Sequence, residues 1–187
     1  YEEMIESGLI DDPKEIEKAR EAVIKESKRM ESVIEDMLAL SSLEYNMSNE
    51  KKIDIDAKEM VNDIVYSFEY LLNEKEIDCR LKLSSVTLKM VPKDFDRLVR
   101  NLVSNAIKYN KEKGKIFITL TKKYLSVKDT GIGIEAKNIS RIFERFFRVD
   151  KGRSREQGGT GLGLAIVKHI CLNYGFKVEV KSKALEG

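Results

Sequence analysis

Residues 97–110 read RLVRNLVSNAIKYN. Leu98, Val99, Leu102, Val103 and Ala106 recur at helical spacing and form one apolar face. Asn101, Asn105 and Lys108 stand nearly in one line on another side, and Arg97 extends that row by one turn. A helix with a proper core face thus also presents two amides and an ammonium. Asparagine is a poor helix former, so two in the middle of one helix stand out. An amide oxygen is a hard, neutral ligand suited to Mg²⁺, and a lysine beside it can neutralise phosphate. A solvated face that happens to hold asparagines is the plainer reading of this helix alone.

Around this helix, strand and helix patterns alternate. KIDID (52–56), IDCRLKL (77–83), VTLKM (86–90), KIFITLT (115–121), YLSVKD (124–129) and FKVEVKS (176–182) read as strands. KEMVNDIVYSFEYLLNE (58–74), EAKNISRIFERFF (135–147) and LGLAIVKHICLNYG (162–175) read as helices. KIFITLT and YLSVKD pair naturally as a hairpin across Lys122 and Lys123. Hairpin-linked strands mixed with helices predict an α+β fold, a two-layer α/β sandwich whose mixed sheet is covered on one face.

Residues 1–45 read differently. At DDPKEIEKAR (11–20) Asp12 can cap a helix, Pro13 suits its first position and Glu15 can reach back. Ile16, Val23, Met30 and Met37 then recur every seventh residue, with Ile34 and Leu40 widening the stripe. Such a seam wants a partner helix, and the plainer alternative is a helix packed onto its own domain. YEEMIESGLI (1–10) looks like the tail of another helix, so the region reads as a partial helical hairpin. NMSNEKK (46–52) loses periodicity and reads as a linker, leaving 53–187 as the second domain.

Composition excludes several classes. With 34 Lys+Arg against 32 Asp+Glu and a net charge of +2, there is no case for a nucleic-acid or membrane surface. Cys79 and Cys171 have no metal or redox spacing and read as reduced thiols. No apolar run is long enough to span a bilayer.

Two more stretches carry candidate chemistry. In DTGIGI (129–134), Asp129 can accept a hydrogen bond from an exocyclic amine such as that of adenine. Gly131 and Gly133 leave room for a flat ring to approach the backbone. Alone, the stretch also describes an ordinary turn. In GGTGLGLA (158–165), four glycines precede and enter a helix, where N–H groups and the helix dipole favour an anion. It is neither a P-loop nor a Rossmann fingerprint. The polar stretch VDKGRSREQ (149–157) before it suggests a lid hinged on the glycines. Phe143, Phe146 and Phe147 can clamp the lid's base or pack in the core. Arg148 can swing toward a phosphate or lie in solvent.

Taken in order, NLVSNAIKYN, DTGIGI, RIFERFFRVD and GGTGLGLAIVKHI resemble the N, G1, F and G2 boxes of sensor histidine kinases of two-component signalling. The N-terminal region resembles the second helix of their dimerisation and phosphotransfer domain. The resemblance implies a Bergerat-type ATP-binding fold tethered to a hairpin that forms a homodimer. It implies ATP and Mg²⁺ as cofactors, with Asn105 as the metal ligand and Asn101 close to the same phosphates. Lys108 would contact phosphate and Tyr109 would flank the nucleotide ring. Asp129 would bind the adenine amino group, bordered by Gly131, Gly133 and Ile134. Gly159, Thr160, Gly161, Leu162 and Gly163 would line the phosphates, and Arg148 and Lys108 would assist transfer of the γ-phosphate. The implied partner is a response regulator, with no nucleic acid. The implied setting is a cytoplasmic domain whose parent is attached to a bacterial membrane through segments outside this chain. Rival readings are a nucleotide-binding scaffold without transfer and an ATPase clamp of the same superfamily.

Two departures stand out. The acceptor histidine of the family lies in an H box that this chain lacks. Its only histidine, His169, follows the G2 box and reads as structural or surface. The family's last strand is also missing after ALEG (184–187).

Overall fold

A computed structural model describes residue 3 and residues 12–44, 50–149 and 159–184. All of the YEEMIESGLI stretch but Glu3, most of the expected linker, and nearly all of the lid stretch with Gly158 lie outside the described residues. Helix α1 (Pro13–Glu44) leads. Then come β1 (Ile53–Asp56), α2 (Ala57–Ser67), α3 (Glu69–Glu74), β2 (Asp78–Leu83), β3 (Thr87–Met90) and α4 (Pro92–Lys108). The hairpin β4 (Lys115–Leu120) and β5 (Leu125–Asp129), the short α5 (Ala136–Ile139) and α6 (Gly163–Asn173) complete the order.

The strands form two sheets where one was expected. β1 pairs antiparallel with β3, Ile53 opposite Met90. β4 is the centre of the second sheet, parallel to β2 and antiparallel to β5. Alternation decides the faces of β4: Ile116, Ile118 and Leu120 are buried while Lys115, Phe117 and Thr119 are not. Against those buried residues pack Val61 and Ile64 of α2, Val99 and Val103 of α4, and Ile166 and Ile170 of α6, in one continuous core. Each such side chain contributes about 1.5–3 kcal/mol by leaving water. The α+β two-layer sandwich stands.

Three element readings are corrected. The helix read over 58–74 breaks at Phe68, where the Ser67 hydroxyl donates to the Ile64 carbonyl at 2.6 Å and competes with the helix ladder. The helix read over 135–147 is helical only at Ala136–Ile139. Further on, Phe146 takes φ +59° and donates its N–H to the Gly161 carbonyl at 3.0 Å, which pulls the chain out of helix and onto the glycine loop. FKVEVKS is not a ladder strand. Its Ser182 hydroxyl instead accepts from the Ile134 N–H at 2.9 Å.

Helix α1 begins as read: the Asp12 carboxylate accepts from Lys14 N–H at 2.9 Å. It has two non-polar sides. Ala39, Leu40 and Leu43 are buried, and the helix packs on α6. The heptad residues Met30 and Met37, with Ile34, remain at least half exposed. Of the stripe seen in the sequence, Leu40 docks on the second domain, while Met30, Ile34 and Met37 do not.

Candidate functional site

The polar row of the α4 helix is held at both ends by residues far away in sequence. At its start, the Tyr174 hydroxyl donates to Asp94 Oδ2 at 2.7 Å and accepts from Val91 N–H at 3.0 Å. At its end, Lys75 Nζ donates to the Ile107 and Lys108 carbonyls at 2.9 and 3.2 Å. A cation suits these orphan carbonyls and the negative end of the helix dipole. Lys75 carries no motif, and only the fold reveals this role.

Within the row, the two asparagines differ. Asn101 Nδ2 donates to the Arg97 carbonyl at 2.9 Å, and a Cβ on Gly163 would collide with Asn101 Oδ1. Asn101 therefore seats the first residue of α6. Asn105 is partly exposed one turn further on, and no described residue hydrogen-bonds its side-chain amide. An amide oxygen free to ligate, beside a lysine, fits Mg²⁺, which takes few protein ligands and completes its shell with water and phosphate. Among the described residues no group of three or more His, Cys, Asp or Glu forms a competing metal site.

The DTGIGI turn is pinned to the end of α4. Ile132 N–H donates to the Tyr109 carbonyl at 3.1 Å, and Thr130 exchanges hydrogen bonds with Lys115 and donates its hydroxyl to Asn110 Oδ1. Asp129 Oδ1 accepts from Gly131 N–H at 2.8 Å. The Asp129 side chain remains exposed at the end of β5, with acceptor capacity to spare. The glycines have a role that the sequence reading did not assign. A Cβ on Gly131 would meet the Tyr109 carbonyl, and one on Gly133, at φ +69°, would meet the Lys183 carbonyl. What approaches these glycines is the protein's own backbone.

The described part of GGTGLGLA closes the other side. A Cβ on Gly159 would collide with Lys108 Nζ, so this glycine lies directly on the lysine. Gly161, at φ +75°, packs on the Phe146 backbone. The Thr160 hydroxyl accepts from Leu162 N–H at 3.1 Å and donates to Asp36 Oδ2 of α1 at 2.8 Å. Leu162 is fully buried in the core, so only its backbone can face a phosphate. Of the phenylalanines, Phe146 is exposed and Phe147 lies under Arg141 at 4.4 Å. Of Phe143, Phe146 and Phe147, none joins the core cluster.

Cations gather between these loops. Burial, followed by the charges of Arg148, Arg29 and Lys75, pushes the Lys108 ammonium down from 10.5 to about 8. Lys108 Nζ also lies 5.3 Å from the Tyr109 ring centre. Arg148 Nε and Nη2 are buried without a hydrogen-bond partner. His169 lies elsewhere: half-buried, it sits 3.5 Å from Glu44, which also pairs with Arg145. Burial, then the Arg145 and Lys168 charges, push the imidazole below its usual value.

This arrangement defines a nucleotide-binding sandwich. The chain belongs to the histidine kinase-, DNA gyrase B- and HSP90-like ATPase family, whose sequence profile matches residues 90–187. Its relatives within that family include histidine kinases. It is 31% identical over 180 residues to the signal transduction histidine-protein kinase ArlS of Staphylococcus aureus, covering 94% of this chain and 40% of that one. The chain thus spans well under half the length of that curated relative. The solved histidine kinase AdeS of Acinetobacter baumannii superposes with TM-score 0.72 at 23% identity, covering 91% of this chain and 79% of the other. Histidine kinase ThkA, solved in complex with response regulator protein TrrA, gives TM-score 0.63 at 24% identity over 78% and 44% of the two chains. These two likenesses establish the fold.

Proposed function

We propose that this chain is part of the catalytic core of a protein histidine kinase, transferring the γ-phosphate of Mg-ATP to a histidine and thence to a response-regulator aspartate. The observation that carries the reading is one juxtaposition. The end of α4 holds Lys108 against Gly159 of the glycine loop and, through Tyr109, holds the turn that bears Asp129. A base reader and a phosphate cradle thereby share one helix end.

The residues divide the task. Asp129 accepts from the adenine amino group, and Tyr109 flanks the ring. Lys108 and Arg148 balance the charge of the phosphates, and backbone N–H groups of Gly159–Gly163 line them. Asn105 and Asn101 stand toward the same phosphates, and Asn105 would hold Mg²⁺ through its amide oxygen. The ion, when bound, supplies further positive charge and orients the phosphate oxygens. In transfer, an imidazole nitrogen forms a bond to the γ-phosphorus while the bond to the β,γ-bridging oxygen breaks and ADP leaves. Such a reaction needs positioning and charge neutralisation more than a strong base. His169 is not the acceptor in this reading, because it lies on α6 after the glycine loop and matches no H box. The exposed Met30, Ile34 and Met37 face of α1 supplies the homodimer seam.

Calorimetric titration with a non-hydrolysable ATP analogue tests the reading. Wild type binds it in the presence of Mg²⁺, Asp129→Asn loses binding, and Asn105→Ala loses the Mg²⁺ dependence. Full affinity in both variants would sink the site assignment.

A further inference from the structure

Arg29, Val33, Asp36, Leu40 and Leu43 follow one another along α1 at intervals of three or four residues and share a stripe. Leu40 and Leu43 belong to the core of the second domain. Asp36 accepts from the Thr160 hydroxyl at 2.8 Å. Burial raises the Asp36 carboxyl, an effect partly offset by that hydrogen bond and by the Arg97 charge. These contacts set the register of α1 along the glycine loop. Arg29 then falls two turns before Asp36 on the same side, about 10 Å along the axis.

Arg29 is not a solvated surface arginine. Its side chain is only 28% exposed. Nη1 donates to Glu26 at 2.9 Å, but Nε is buried and has no partner. Arg148 has two such buried donors, Nε and Nη2. The third cation is Lys108, lying on Gly159 beside Thr160. The charges acting on Lys108 are those of Arg148, Arg29 and Lys75, all positive. Buried donors are nearly always satisfied, and like charges crowded together are costly unless something anionic joins them. A guanidinium's planar fork suits phosphate oxygens better than a point charge does.

We infer that Arg29 is a phosphate-binding residue supplied by the helical arm, and that it donates to the terminal phosphate of a nucleotide held by the second domain. The inference rests on the nucleotide reading above and goes beyond it, since no motif of the N, G1, F or G2 type includes α1. A triphosphate then ties the arm to the domain, while a diphosphate leaves Arg29 without its ligand. Loss of the γ-phosphate loosens the arm at the moment transfer is complete.

The test is titration of the whole chain with a non-hydrolysable triphosphate analogue and, separately, with ADP, both with Mg²⁺. Arg29→Ala should weaken the triphosphate about tenfold or more, the scale of one charge-assisted hydrogen bond, while ADP changes less than about twofold. Arg29→Lys should recover part of the loss. Equal losses for both nucleotides, or no loss for either, would overturn the inference and leave the nucleotide site standing. Failure of wild type to bind either nucleotide would overturn the underlying reading as well. Thermal unfolding of each variant separates loss of a ligand from loss of fold, and Arg29→Lys keeps the test open if the alanine variant unfolds.

Discussion

The two ends of the site are built in opposite ways. At the end proposed to read the base, the turn after β5 is tied down. Thr130 is locked to Asn110 and Lys115, Ile132 to Tyr109, Ile134 to Ser182, and both glycines lie against backbone carbonyls. At the phosphate end the reverse holds. The charges of Arg148 and Arg29 both act on Lys108, and three nitrogens of these two guanidinium groups are buried without partners. The first end is preformed, so binding there costs little ordering. The second is held in electrostatic frustration that an anion relieves. Specificity for the base should therefore survive changes at the phosphate end, while discrimination by phosphate number should not.

The largest expected break in this contrast comes from the rigid end. Gly133→Ala forces a side chain into a φ of +69° and onto the Lys183 carbonyl. It should weaken ATP analogue and ADP alike, by about thirty- to a hundredfold, as two to three kcal/mol of misplacement implies. Titration with both nucleotides checks this, and a loss confined to the triphosphate would break the contrast.

At the other end, Lys108→Met removes one of the crowded cations. Triphosphate affinity should fall about tenfold or more, with a smaller change for adenosine. The free protein should meanwhile unfold at higher temperature below about pH 8, because burial and like charges penalise the ammonium. A lower melting temperature would mean that the lysine holds the fold together.

The pH dependence follows from the same group. The folded pKa of Lys108, about 8, lies below its ordinary 10.5. Between those values the unfolded chain binds more protons, so the stability contributed by this group rises with pH across that window. Below about pH 8 both states are protonated and the contribution is flat. Denaturant melts of wild type minus Lys108→Met should show that slope. Triphosphate binding near pH 8.5 should also take up protons, visible as a buffer-dependent heat.

The smallest effect belongs to the arm. Thr160→Val removes the hydrogen bonds to Asp36 and from Leu162 N–H and should cost about 1–2 kcal/mol, which is about 2–8 °C in melting temperature for a chain of this size.

Much of this was legible in the sequence, for identifiable reasons. The apolar and polar sides of RLVRNLVSNAIKYN gave the α4 helix and its row because both signals are local. The hairpin across Lys122 and Lys123 formed as read. The order of the four boxes pointed to the family. What stayed hidden depended on distant contacts. The bond from Phe146 to Gly161 broke a helix that periodicity favoured. Nothing in the sequence placed β2 and β3 in different sheets. The glycines of DTGIGI were read as room for a ring, while the surfaces they approach, the Tyr109 and Lys183 carbonyls, come from the α4 end and the C-terminal segment. Lys75, Asp36 and Arg29 lie outside every motif, so only the packing of α3 and α1 shows where they act.

The most direct single measurement is the ratio of ADP to triphosphate-analogue affinity, taken with Mg²⁺ on wild type and on Asp129→Asn. If the rigid end reads the base, Asp129→Asn loses both nucleotides in equal proportion and the ratio, where measurable, is unchanged. If Asp129→Asn binds both as tightly as wild type, the turn does not read the base, and the account of this site is wrong.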